Sequence, residues 1–161
     1  MDKKVFGYPE FDDSGEKILT TYNDPYQDML MDIRIYRMQA KEKKQFCRVA
    51  EETAILLQCG KVILRWEGNE KRISRKDVFT EGPWCLHVAS GVDVEVEAQA
   101  DGAEILVQCT HNDKDFPSKI YSPEDAPWND VCRGKFGDTA NRLVNTIFDY
   151  NSAPYSNMVL G

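Results

Sequence analysis

The sequence has few of the residues that bind metals or nucleic acids, and it has no long hydrophobic run. Histidine occurs only twice in 161 residues, as His87 and His111. Asp and Glu (27) outnumber Lys and Arg (20), which gives a formal net charge of −7. Phosphate binding needs clustered positive charge, so no nucleic-acid partner is expected. No stretch approaches the ~18 apolar residues of a membrane span, so no membrane partner is expected either.

Targeting and disulfide signals are also missing. The N-terminal stretch MDKKVFGYPE has two lysines without a following apolar run, so we expect no signal peptide. The cysteine count is odd, no CxxC motif occurs, and four of the five cysteines lie in apolar, strand-like runs. This usage favours reduced, buried thiols in a cytoplasmic protein. The cysteines are Cys47, Cys59, Cys85, Cys109 and Cys132.

The dominant pattern is that of short β-strands, with almost no helical periodicity. Met31–Met38 alternates apolar and polar residues, and Val92–Ala100 does so with the fewest exceptions. Lys61–Ser74 predicts a hairpin that turns at Glu67-Gly68-Asn69. About eight such segments lie between Met31 and Thr110, at spacings near 8 to 12 residues, which predicts an all-β sandwich or barrel, with a jelly roll as one option.

The end of the chain has a different composition. Asp101-Gly102 predicts a turn after which Ala103–Thr110 pairs back on Val92–Ala100. The following residues are rich in Pro, Asp and Gly and predict a long loop with one helical turn near Ser122. Arg142–Tyr150 predicts a further strand, and Met158–Leu160 the start of another. If the chain is a fragment, we expect Met158–Leu160 to lack their intended partners and to fray or pair with another copy.

The order of these segments resembles the N-terminal half of the 5-deoxy-glucuronate isomerase family, which is related to the 5-keto-4-deoxyuronate isomerases. The matching pieces are LLQCGKVILRWEG, RKDVFTEGPWCLHVASGVDVEVEA and AEILV. The most specific phrase is Arg75-x-Asp77-Val78-Phe79-x-x-x-Pro83. The stretch from Pro117 to Gly161 is similar to the family's bridge into a second barrel.

The resemblance implies a cupin-type jelly-roll barrel (a double-stranded β-helix) with a long C-terminal connector. Residues 1–30 would be an N-terminal extension that packs on the barrel, and residues 31–112 a degenerate cupin barrel. Residues 113–161 would be the connector and the first strands of a second cupin domain that is absent from this chain. In the family, that second barrel holds a catalytic divalent metal with histidines of a Pro-Pro-His-x-His segment, a glutamate and a third histidine.

The implied function is that of the N-terminal, non-metal domain of a sugar-acid isomerase. The whole enzyme would be an intramolecular oxidoreductase that converts 5-deoxy-glucuronate to 5-dehydro-2-deoxy-gluconate in myo-inositol catabolism. This chain would have a structural and oligomerisation role and be inactive alone, with the second cupin domain and further copies as partners. The alternatives are a stand-alone, metal-free cupin that binds a sugar or a protein partner, and a family member that has lost catalysis.

The number of histidines limits what this chain can bind by itself. The usual cupin cage takes three imidazoles and one carboxylate, and this chain has only two imidazoles, so we expect no metal and no catalytic residue in it. His87 lies four residues after Pro83, one short of the usual cupin spacing. It is either a relic ligand or pocket donor, or a strand histidine bonded to a neighbour, and we favour the second. His111 lies in a polar stretch and is expected to be solvated.

Three residues remain as candidates for a ligand pocket, namely His87, Arg65 and Trp84. Arg65 lies on the face opposite Val62, Leu64 and Trp66. If that face lines the barrel mouth, Arg65 and His87 could bind a uronate carboxylate. If it faces water, Arg65 pairs with Glu67 or a neighbouring strand, which we favour.

The sequence gives little support to a sugar-binding role for the tryptophans or to a catalytic cysteine. Tryptophans such as Trp84 are more often core or interface residues than sugar platforms. A Cys85–His87 nucleophile–base pair is disfavoured because nothing in the sequence supplies an oxyanion hole or an orienting acid.

Overall fold

The computed structural model describes residues 9–23 and 27–161, and this part of the chain is almost entirely β-structure. Its strands are β1 (Glu16–Thr20), β2 (Met31–Met38), β3 (Lys43–Phe46), β4 (Glu51–Trp66), β5 (Asn69–Arg75), β6 (Trp84–Val88), β7 (Val94–Ala98), β8 (Ala103–His111), β9 (Lys119–Tyr121), β10 (Trp128–Val131) and β11 (Arg142–Asn145). Two short 3₁₀ turns lie at Gln27–Met29 and Phe136–Asp138. No helix in this part is long and apolar enough to cross a membrane.

Strands β1 to β9 form two antiparallel sheets that share β4, and β10 and β11 form a separate antiparallel pair. The first sheet has the order β1-β2-β8-β4-β6-β9, and the second has β3-β7-β4-β5. The first half of β4 pairs with β8 and β6, and the second half, from Gly60, pairs with β5 and β7. An irregularity between Leu57 and Cys59 and a positive φ of 98° at Gly60 bend the strand from one sheet into the other.

The space between the sheets is filled by hydrocarbon. Strand alternation points one side chain in two inward, as predicted for Val62, Leu64 and Trp66. The inner core comprises Met38, Phe46, Ile55, Leu57, Val62, Leu64, Trp66, Ile73, Leu86, Val88, Val94, Val96, Ala98, Ala103, Ile105, Val107 and Cys109. Burial of each large aliphatic side chain contributes roughly 1.5–3 kcal/mol, so these alternating positions hold the sheets together. The result is a cupin-type jelly roll, which confirms the predicted all-β fold class.

The predicted pairing of Ala103–Thr110 with the preceding strand is wrong. β8 pairs with β2 and β4, whereas β7 pairs with β3 and β4. The Asp101-Gly102 turn carries the chain from the second sheet to the first. The inward residues of β7 and β8 therefore meet across the interior, in the same core cluster, and do not lie side by side in one sheet.

A second core covers the outer face of the first sheet. Ala54, Leu56 and Cys85 point outward and are covered by side chains from the last fifty or so residues. The covering residues are Tyr121, Ala126, Ile147, Phe148, Ala153, Met158 and Leu160. The amide of Ile147 donates to the Leu160 carbonyl at 2.8 Å, and Leu160 forms a β-bridge with Phe148. Leu160 thus has a partner within this chain, whereas the expectation was that Met158–Leu160 fray or pair with another copy.

Three further features of the fold concern segments discussed from the sequence. β1 lies within the stretch 1–30 and adds to the edge of the first sheet by pairing with β2; residues 1–8 and 24–26 lie outside the described residues. The strand predicted over Arg142–Tyr150 ends at Asn145, and β11 pairs with β10. All five cysteines are free; Cys85 and Cys109 are buried, but Cys47 is exposed, contrary to expectation.

Candidate functional site

His87 forms a buried polar pair with a glutamate on the neighbouring strand. Its Nε2 lies 2.8 Å from Oε2 of Glu52, and both side chains are 0% exposed. His87 is directly opposite Ala54 in the β4–β6 register, and Glu52 lies two residues before Ala54 on the same outer face. The pair therefore belongs to the outer core and does not line the barrel interior.

The spacing of His87 explains why it points outward. Successive side chains of a strand alternate between the two faces, so a shift of one residue moves a side chain to the opposite face. The usual cupin spacing from Pro83 would fall on position 88, and Val88 does point into the inner core. His87, one residue earlier, contacts the segment that covers the sheet.

Aromatic rings and a backbone amide join this pair to the C-terminal part of the chain. The His87 ring stacks on Phe148 with centroids 4.4 Å apart and an interplanar angle of 6°, and it contacts Phe116 at 4.8 Å. Oε1 of Glu52 accepts a hydrogen bond from the amide of Asn157 at 2.7 Å. The pair is thus the polar centre of the contact between the first sheet and residues 116–158.

The electrostatics of Glu52 reflect these contacts. Burial by itself raises the pKa of the carboxyl, but hydrogen bonds from His87, the Asn157 amide and Ser156 outweigh it and hold the pKa below its ordinary value. Glu52 is therefore a carboxylate, and His87 donates to it from Nε2. Nδ1 of His87 is buried and has no hydrogen-bond partner among the described residues. The proton on Nε2 of His87 is therefore held in the buried hydrogen bond to Glu52 and is not accessible to solvent.

The residues of this barrel do not fit the metal that the cupin fold commonly holds. Inward positions of β4, β6 and β8, where ligands would have to lie, carry Ile55, Val88 and Val107. Over residues 9–23 and 27–161, no group of three or more His, Cys, Asp or Glu is arranged to hold a metal ion.

The other two sequence candidates lie elsewhere. Arg65 is on the outer face of the second sheet, where its Nη1 bonds Glu95 at 2.6 Å and Glu97 at 2.7 Å. Its Nε bonds Glu70 at 2.9 Å, so it pairs with neighbouring strands and not with Glu67. Trp84 packs against the inner core, with the Lys71 ammonium 5.5 Å from its ring centroid. The three candidates are thus on three different surfaces.

His111 behaves largely as its polar context indicates. Its residue is exposed, and its ring stacks on Tyr22 with centroids 4.9 Å apart. Its backbone carbonyl accepts a hydrogen bond from Asn157 Nδ2 at 2.8 Å. It therefore helps to hold the covering segment in place through its main chain.

Sequence reasoning missed a cavity of about 410 Å³ between the outer face of the first sheet and the β10–β11 hairpin. Its wall is formed by Leu56, Gln58, Arg75, Val78, Pro83, Trp128, Leu143, Val144, Asn145, Ile147 and Gly161. Arg75 is only 5% exposed, and burial holds its pKa below the ordinary value. Arg75 begins the most specific motif of the sequence, and this was the one signal that could have drawn attention to it. The motif does not indicate, however, that the Arg75 side chain is buried.

Two antiparallel sheets around an apolar interior, a shared strand, and a covered outer face define a jelly roll of the cupin class. The model of the KduI/IolB family matches residues 8–161, and the chain belongs to that family. The match begins well before Met31, so the N-terminal residues share in the likeness more than the sequence motifs indicated. Among curated proteins, no match is found.

Solved structures support the same fold. An IolB-like protein from Salmonella typhimurium superimposes with a TM-score of 0.69 at 17% identity, over 76% of this chain and 46% of that one. Protein Ylba from E. coli superimposes with a TM-score of 0.59 at 12% identity, over 88% of this chain and 54% of that one. This chain thus spans about half the length of each of these structures.

Proposed function

We propose that this chain is the N-terminal, metal-free cupin domain of a sugar-acid isomerase similar to 5-deoxy-glucuronate isomerase. The observation that carries the proposal is the family match over residues 8–161. The whole enzyme would convert 5-deoxy-glucuronate to 5-dehydro-2-deoxy-gluconate in myo-inositol catabolism in the cytoplasm. Residues 113–161 would act as the connector to a second cupin domain of the same protein.

The role of this domain is structural. Moving a carbonyl along a sugar needs a Lewis acid for the enediolate oxygens and a base for the proton. The inner face of the described barrel is hydrocarbon, and Glu52 and His87 are sealed in the outer core. In this proposal the divalent metal and the base belong to the second barrel, and the present barrel supports the second one and helps copies of the protein to associate.

The test compares this chain with the product of its source gene read past Gly161. Both proteins are purified, their metal content is measured, and both are assayed with 5-deoxy-glucuronate. We expect the longer product to hold about one divalent metal per chain and to convert the substrate until the metal is removed by a chelator. This chain alone should hold no metal and show no turnover. A gene that stops after Gly161, or turnover by this chain alone, contradicts the proposal.

A second candidate is a stand-alone, metal-free cupin that binds a sugar or a protein partner. It is favoured by the cavity beside Arg75, which needs no metal to accept a ligand. The end of the gene separates the two candidates. A stop codon after Gly161, together with saturable binding of a uronate or an inositol derivative in calorimetry, supports the second candidate, and a gene that continues past Gly161 supports the first.

A further inference from the structure

Arg75 is a buried cation whose hydrogen bonds all go to neutral acceptors. Its Nη1 donates to the Leu57 carbonyl at 2.9 Å, and its Nε and Nη2 donate to the Glu81 carbonyl at 3.2 and 3.0 Å. A guanidinium has five N–H groups. Within the described part of the chain, one hydrogen on each terminal nitrogen is therefore left without an acceptor.

The acidic groups nearest to Arg75 are engaged elsewhere. Asp77 and Glu81 are close enough to raise its pKa, although burial has the larger, opposite effect. Oδ1 of Asp77 accepts from the amides of Phe79 and Thr80, and Oε2 of Glu81 accepts from the amide of Lys76. Neither carboxylate forms an ion pair with the guanidinium, so its charge is not neutralised by contact.

The cavity beside Arg75 has the size and composition of a small-molecule site. Its volume of about 410 Å³ lies in the range that holds small ligands, and such sites combine apolar walls with a few polar groups. Trp128 supplies a flat apolar surface, and Gln58 and Asn145 supply amides. Nδ2 of Asn145 donates to the Ala126 carbonyl at 2.7 Å, which leaves its Oδ1 as an acceptor.

We propose that this cavity binds a small carboxylic acid, with the carboxylate on Arg75 and the rest of the molecule against Trp128. A carboxylate would accept hydrogen bonds from the two unused N–H groups of Arg75. It would also give the buried guanidinium a counter-ion in direct contact, which it otherwise lacks. Arg75 also holds the loop over residues 76–82 through the Glu81 carbonyl, so binding would couple to that loop. The proposal concerns this chain's own cavity and does not rest on the isomerase function.

The first test is a titration of the purified chain with D-glucuronate and, as the neutral match, D-glucose, followed by amide NMR shifts. We expect saturable shifts for glucuronate at residues 56–58, 75–82 and 143–147. Glucose should bind at least about tenfold more weakly, because a charge-assisted hydrogen bond contributes that much or more. Equal binding of the two sugars, or no saturation by glucuronate at millimolar concentrations, overturns the proposal.

Variants separate ligand binding from support of the loop. Arg75→Gln should abolish glucuronate binding, but it also removes contacts to the loop. Gln58→Trp should fill the cavity and abolish binding while it leaves the hydrogen bonds of Arg75 intact. Arg72→Gln is the matched control, because Arg72 lies on the same strand with a side chain 73% exposed and is outside the cavity wall. Unchanged glucuronate affinity in a folded Gln58→Trp protein refutes the site.

Discussion

His87 Nε2 lies 2.8 Å from Glu52 Oε2 at the point where the C-terminal segment covers the first sheet, and neither side chain reaches solvent. The second oxygen of Glu52, Oε1, accepts a hydrogen bond from the amide of Asn157. One carboxylate therefore joins β4, β6 and the covering segment. The stability of that contact depends on both members of the pair.

Breaking this pair should destabilise the protein more than replacing it entirely. His87→Phe keeps a ring against Phe148 but leaves the Glu52 carboxylate buried with fewer partners, for which we expect a loss of about 3 kcal/mol or more in the free energy of unfolding. His87→Phe with Glu52→Leu should recover most of that loss, because hydrocarbon replaces both polar groups. Urea unfolding measures both effects. Equal stability of the single variant and the parent would refute the structural role.

The same pair should contribute to acid sensitivity. The pKa of Glu52 is lowered in the folded protein from an ordinary value of 4.5, so its stabilisation is full above that value and is lost as the pH falls below it. Unfolding midpoints measured between about pH 6 and pH 3 should fall for the parent and fall less steeply for the double variant. Other carboxylates with lowered pKa values, such as the half-buried Glu95 and Glu97, change the acid sensitivity of both proteins equally. If the unfolding midpoints of the two proteins fall in parallel with pH, Glu52 does not contribute to the acid sensitivity.

Gly60→Ala should be strongly destabilising. Gly60 has a φ of 98°, and an added Cβ would lie 2.6 Å from the Cα of Ala103 on β8. The backbone strain and the clash each cost roughly 1–3 kcal/mol. Gly68→Ala in the β4–β5 turn is the control, since its φ is 76° and nothing lies within 4 Å of an added Cβ. Thermal unfolding should show a markedly larger decrease for Gly60→Ala, and similar decreases would contradict the bend assigned to Gly60.

The cysteines should differ in reactivity. Cys47 is exposed, whereas burial raises the pKa of the Cys85 and Cys109 thiols above the ordinary value, which disfavours the reactive thiolate. A thiol reagent applied to the native protein should modify Cys47 first and should reach Cys85 and Cys109 only on unfolding. Mass spectrometry of peptides gives the order of labelling, and Cys47→Ser is the control for the fast phase. Early modification of Cys85 would show that the outer core opens under native conditions.

Local sequence patterns predicted the positions of most strands, but they did not predict which distant strands pair with each other. The bounds Met31–Met38 and the turn after Trp66 follow from alternation and from Gly68, which act over a few residues. The partner of Ala103–His111 depends on which inward faces meet across the barrel, and adjacency in sequence misled there. His87 was a candidate from residue type, but its face depended on one residue of spacing. Arg75 carried no pattern that separates a buried guanidinium from an exposed one.

The continuity of β4 has a consequence for how the domain comes apart. Because one sixteen-residue strand belongs to both sheets, neither sheet can lose it without exposing the hydrocarbon of the other. Most strands that pair with β4 are distant from it in sequence. The chain therefore loses the entropy of closing long loops before the stabilising contacts between strands form, which slows folding. The domain should therefore fold slowly and unfold in a single cooperative transition, with no half-barrel that persists on its own.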